Sequence, residues 1–273
     1  MPRPKSAMEI FQLLDKSNCR ECGEKTCLAF AGAVFTGRKQ LDRCPRIKPE
    51  DRARFSDDTE SGSAFEEGLE TLGKMQARIA EIDLAAAAER IGADFAGDRL
   101  TLKVLGKNFS VDTRGKLYAD IHVNPWVAVP FISYILNGRG RPASGDWMSF
   151  RELKNGMARY PLFQKRCEAA MKKVADTYTD LFDDLVHIFS GKQVEEQFES
   201  DISVVLHPLP RVPMMICYWK PEDGLASSLN LFFDKVADDN LDIGSVFSLG
   251  VGMAQMFEKL AQRHGFPEAA SFR

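Results

Sequence analysis

Four cysteines within 26 residues constrain this chain more than any other feature: Cys19, Cys22, Cys27 and Cys44, spaced C-x2-C-x4-C-x16-C, with Pro45 directly after the last. The other two cysteines, Cys167 and Cys217, stand alone. No apolar run near the N-terminus is long enough for an export signal, so clustered thiols point to metal binding or redox chemistry rather than to a disulfide framework. Thiolates are soft anionic ligands, and four of them suit a tetrahedral zinc ion or an iron-sulfur cluster. A structural zinc site usually presents two C-x2-C knuckles, and only the first pair has that form here. Three ligands in one short loop, with a remote fourth followed by proline, is the arrangement of bacterial ferredoxins. The spacing therefore favours a cluster over zinc, and over four unmetallated structural cysteines.

The charge pattern agrees. Residues 1–54 carry 12 Lys and Arg against 7 Asp and Glu, a local +5 in a chain of net charge -3. Cations among the cysteines, namely Lys16, Arg20, Lys25 and Arg43, can offset thiolate charge. A nucleic-acid surface is the less economical reading, because the segment lacks interleaved aromatics. Gly23 lets the backbone approach the site, loop amides can donate to sulfur, and a helix after Thr26 would turn its positive end toward it. Leu28, Phe30, Ala31 and Phe35 can shield one side.

The segment NCRECGEKTCLAFAGAVFTGRKQLDRCP resembles the small 4Fe-4S domain of the large corrinoid iron-sulfur protein subunit of acetyl-CoA decarbonylase/synthase systems. It is also similar to the cluster segment of the B subunit of Rnf electron-transport complexes. The shared features are N-C-x2-C-G, the C-x-A-F/Y-A after the third cysteine, Gly37 about ten residues on, and C-P. The resemblance covers roughly residues 8–50 and implies one 4Fe-4S cluster on Cys19, Cys22, Cys27 and Cys44. Neither the barrel of the corrinoid subunit nor the additional ferredoxin repeats of the Rnf subunit follow. The C-terminal part, with PRVPMMICYW and LFFDKVADDNL, is similar to an uncharacterised bacterial domain family often found behind such a module.

The pattern along the chain predicts an α+β protein: a small helical cysteine-rich module over 1–55, a linker at 56–63, and a larger domain of antiparallel strands and packed helices over 64–273. AMEIFQLL has helical spacing, and a second helix should run from Thr26 to Gly37. Residues 65–91 read as one or two helices, broken near Asp83. Alternating residues around LGKN and TRGK predict a strand meander. A helix should start between or after Pro125 and Pro130, and one long helical period should end at Gly191. Three antiparallel strands and a final helix complete the reading.

Other candidate chemistry is sparse. His122, His187, His207 and His264 are scattered, although His207 or His122 could ligate a corrinoid or haem if the larger domain has a pocket. Cys167 and Cys217 read as buried and inert. Asp180, Asp183 and Asp184 share a helix, while Asp234, Asp238 and Asp239 follow a strand and read as a turn and helix cap before a metal or acid-base site. Trp126, Trp147 and Trp219 are expected at the core or its rim. No phosphate loop or nucleophile elbow is present. The expectation is a cytoplasmic 4Fe-4S protein, with no membrane insertion and no nucleic-acid partner, passing single electrons to a redox partner protein. The alternatives are a structural cluster in an interaction module, or a corrinoid- or cofactor-associated enzyme with its site in the C-terminal domain.

Overall fold

The computed structural model describes residues 7–35, 39, 41–48, 51, 59–178, 180–195, 197–222 and 224–263, and divides into two compact units, Met1–Gly73 and Lys74–Arg273. In the first unit, helices α1 (Ala7–Leu13) and α2 (Cys27–Phe35) pack together. Apolar residues at helical spacing supply the contact: Ile10 and Leu14 bury against Phe30 and Ala31, joined by Leu41 and Ile47. Thr26 caps α2 as expected, its Oγ1 accepting the Ala29 N–H at 3.0 Å. The expected end at Gly37 lies outside the described residues. A 3-10 turn, Leu41–Arg43, delivers the chain to Cys44. Helix α3 (Thr59–Ile79) begins within the segment read as a linker.

The second unit opens with α4 (Leu84–Ile91), which Asp83 caps by accepting the Ala86 N–H at 3.0 Å. Four antiparallel strands follow in order β1 (Asp94–Ala96), β2 (Arg99–Val104), β3 (Lys107–Asp112) and β4 (Leu117–Ala119). β2 to β4 are the expected meander; β1 is an addition. Helix α5 (Pro125–Asn137) starts on its first proline and continues through Pro130. Proline cannot donate to the carbonyl four residues back. That carbonyl, on Trp126, instead accepts the Ser248 hydroxyl at 3.5 Å.

A second antiparallel sheet has the order β5-β9-β8-β7-β6, from β5 (Trp147–Ser149), β6 (Lys192–Gln193), β7 (Ile202–Leu209), β8 (Val212–Trp219) and β9 (Ser228–Asp234). The three long strands are those expected; β5 and β6 are too short to leave an alternating signal. The helical run over residues 160–189 is not one helix. It consists of α6 (Tyr160–Phe163), a π-turn (Gln164–Glu168), α7 (Ala169–Thr177) and α8 (Leu181–Phe189), which ends at Ser190 in a left-handed cap. After the short α9 (Ala237–Asn240), helix α10 (Ile243–Arg263) packs on α5 and α7. Its Gly252 lies against the Trp126 ring, where a Cβ would collide. Phe150 and Phe163 stack at 3.9 Å, with Phe233 and Phe247 edge-on or tilted around them, forming an aromatic centre between sheet and helices.

Candidate metal centre

Three of the four clustered cysteines meet the small core of the first unit, and Cys19 lies near enough to Cys44 for its charge to act there. Cys27 and Cys44 are buried within that core, Cys22 packs against it, and Cys19 and Cys22 keep partial exposure. Asn18 organises the loop through a reciprocal pair. Its Oδ1 accepts the Cys27 N–H at 2.7 Å, and its own N–H donates to Cys27 Sγ at 3.3 Å. The first bond satisfies a backbone donor that the start of α2 leaves unpaired, and the second aims a dipole at a sulfur. Lys16, Asn18 and Arg20 take positive φ of 61°, 52° and 65°, a region Asn tolerates better than Lys or Arg. Gly23, at φ 79°, turns the chain beneath Lys39, whose Nζ donates to the Cys22 carbonyl at 3.0 Å.

Burial pushes the Cys44 thiol upward, and negative charge at Cys22, Asp15 and Cys19 adds to it, against a hydrogen bond from the Arg46 backbone. Four thiolates gathered there need a cationic centre to become ionised together. Among the described residues no three His, Cys, Asp or Glu side chains converge on one point where a single metal ion would sit. The apolar shield is half of what was expected: Phe30 and Ala31 are fully buried, whereas Leu28 and Phe35 are about half exposed.

In the second unit the other candidates separate from one another. Cys167 is fully buried in the π-turn, and burial first, then Glu168, pushes its thiol well up. Cys217 is buried beside Ser203 at 3.8 Å. His122 is exposed, and His187 is exposed with its Nδ1 2.7 Å from the Asp183 carbonyl. His264 lies outside the described residues. Asp184 accepts the Tyr178 hydroxyl at 2.7 Å, and Asp180 precedes α8. Asp234 accepts from the Ser144 N–H and hydroxyl, the Gly145 N–H and the Val236 N–H. Asp238 accepts the Lys154 N–H at 2.9 Å, and Asp239 pairs with Arg139 at 2.9 Å. These carboxylates hold loops and helix ends. Sequence reasoning missed a shallow cavity of about 380 Å³ lined by Asp94, Thr101, Lys103, Asn108, Ser190 and His207. Partial burial lowers the His207 pKa.

Comparison with known proteins fits this division. Residues 14–46 match the family described as "Putative Fe-S cluster", which makes the chain an iron-sulfur protein. Residues 83–256 match the family described as "Domain of unknown function (DUF3786)", and the chain belongs to that family. The gamma subunit of the acetyl-CoA decarbonylase/synthase complex of Methanocaldococcus jannaschii is 44% identical over 45 residues, 16% of this chain and 9% of that protein. The corrinoid/iron-sulfur protein large subunit of Moorella thermoacetica is 48% identical over 44 residues, 16% and 10% respectively. The gamma subunit of Methanosarcina acetivorans is 27% identical over 180 residues, covering 63% of this chain and 33% of that protein. The chain thus spans between about a tenth and a third of these relatives. No solved structure matches.

Proposed function

We propose that Cys19, Cys22, Cys27 and Cys44 hold one 4Fe-4S cluster, and that the protein passes single electrons between it and a partner protein in the cytoplasm. The observation that carries this reading is that Cys27 and Cys44 are buried in one small apolar core with Cys22 packed against it, while the partly exposed Cys19 lies near enough for its charge to act on Cys44. An iron-sulfur core takes four thiolate ligands, and the match of residues 14–46 to a family described as a cluster segment supports that group over a single ion. When bound, it supplies a one-electron couple. The chain supplies the four ligands, the Asn18 N–H toward Cys27 Sγ, and an apolar wall of Phe30, Ala31 and Ile10 that excludes water from one side. Partial exposure of Cys19 and Cys22 supports exchange over a short distance.

The test is anaerobic purification with iron and sulfide analysis, followed by a potentiometric titration monitored by EPR. The expected result is about four irons and four sulfides per chain, reduced reversibly, and both lost in Cys27→Ala. One zinc without sulfide overturns the ligand assignment. A cluster that does not reduce reversibly overturns electron transfer and leaves a structural role.

A second reading, that the larger unit handles a corrinoid or another cofactor, is favoured by one observation. The 180-residue alignment to the Methanosarcina acetivorans subunit is longer than the whole first unit and therefore enters the second.

A further inference from the structure

The loop carrying Cys19, Cys22 and Cys27 disposes of its charges unevenly. Its acids are occupied: Asp15 and Glu21 lie 3.5 Å and 2.9 Å from Arg46, and Glu24 lies 3.0 Å from Lys39. Its remaining cations are not paired with acids, although Lys16 Nζ lies over the Phe11 ring at 5.5 Å. Lys16, Arg20 and Lys25 are exposed, and among the described residues none of them meets a carboxylate. Each stands within three residues of Cys19 or Cys22, the two thiols that reach solvent. Arg43 and Lys48, likewise exposed and without a carboxylate, flank the buried Cys44. Asp15 and Glu21 share Arg46, so three acids meet two cations, and with Lys16, Arg20 and Lys25 added the charge of these groups beside Cys19 and Cys22 is +2.

Fixed charge of one sign steers an oppositely charged partner, raising association rates by about 10- to 1,000-fold, and salt removes the effect. On the electron-transfer reading above, we infer that the exposed face around Cys19 and Cys22, bordered by Lys16, Arg20 and Lys25, is the docking surface for a protein electron carrier that is acidic around its own redox centre. One electron leaves the donor and one arrives at the acceptor; no bond forms or breaks and no proton moves.

The test uses the full chain with its cluster loaded and a plant-type 2Fe-2S ferredoxin as the acidic carrier. Stopped-flow mixing follows exchange in whichever direction is downhill. The expected second-order rate falls about tenfold or more between roughly 50 and 200 mM salt. The Lys16→Glu/Arg20→Glu/Lys25→Glu variant, matched for iron and sulfide, should be at least about tenfold slower at low salt, with the salt response abolished or inverted. A wild-type rate indifferent to salt overturns the proposal. So does a variant that shifts the midpoint potential yet keeps the wild-type salt response, since the cations would then serve only to compensate the cluster. Should the triple variant lose iron, Lys16→Gln/Lys25→Gln is judged by the same criteria. Titration before any carrier is added shows separately whether the cluster reduces at all; if it does not, the electron-transfer reading falls first and this surface with it.

Discussion

At the scale of single residues, Asp234 shows why a suggestive carboxylate can be structural. Its side chain is fully buried, so desolvation favours the neutral acid, yet the hydrogen bonds from Val236, Gly145 and Ser144 together win and its pKa lies below the ordinary carboxylate value. A carboxyl whose pKa is lowered by folding contributes stability above its unfolded value and loses it as pH falls through the folded one. Asp234→Asn should therefore flatten the acid limb of stability, read as the urea midpoint from neutral pH into the acid range. Asp234→Ala, which strands several buried donors, should cost about 3 kcal/mol at neutral pH in the same measurement. The sequence could show a strand-end Asp followed by a turn, but not its partner, because Ser144 and Gly145 are about ninety positions away. Asn18 enters the sequence reading only as the first letter of N-C-x2-C-G, and its bonds to Cys27 emerge from the structure. It stands beside the first cysteine, so both its bonds to Cys27 span a single loop.

At the scale of elements, legibility followed the length of the periodic signal. α1, α2, α4, β7, β8 and β9 are where patterning and capping residues put them, since each carries its own alternation or cap. β5 and β6, with three and two residues, exist only because a longer neighbour supplies the ladder. The π-turn was equally silent. It brings Glu168 to accept the Leu231 N–H at 3.1 Å, on the stretch of β9 beyond the end of β5. A carboxylate there replaces a missing strand, a tertiary role with no local signature. Two of the three glycines in α10 stand where a local view sees only helix weakening, yet Gly250 faces Phe163 and Cys167 while Gly252 admits Trp126. Gly252→Ala gains about 1 kcal/mol of helix propensity but must displace a large ring, so the expected net effect is a loss of about 1–2 kcal/mol in chemical denaturation. A neutral or stabilised variant would show that α5 and α10 can separate without penalty.

At the scale of the whole molecule, no described helix is long and apolar enough to cross a membrane. The first unit carries the recognised chemistry and the second carries the family. A core such as that of Ile10, Leu14, Phe30 and Ile47 rarely supplies more than about 3–5 kcal/mol, so a metal group would add much of the cysteine segment's stability. The second unit has the larger aromatic and aliphatic core and does not share that dependence. Replacing Cys19, Cys22, Cys27 and Cys44 together by Ala should leave a full chain that is colourless after iron and sulfide reconstitution, with the far-UV dichroism of the second unit retained. A tetrapyrrole band appearing on addition of a corrinoid or haem would reveal a separate cofactor site.

The two- and three-residue strands have a further bearing. Both sheets end on such strands: β1 and β4 close one, β5 and β6 the other. An edge that short offers little exposed backbone for a neighbouring chain to extend. The proline-free part of strand β8, MMICYW, has the apolar, uncharged character of a segment that assembles into fibrils when uncovered, and β8 sits at the centre of its sheet. Truncated edges around a sticky centre let the folded protein accumulate in a crowded solution without templating its own aggregation.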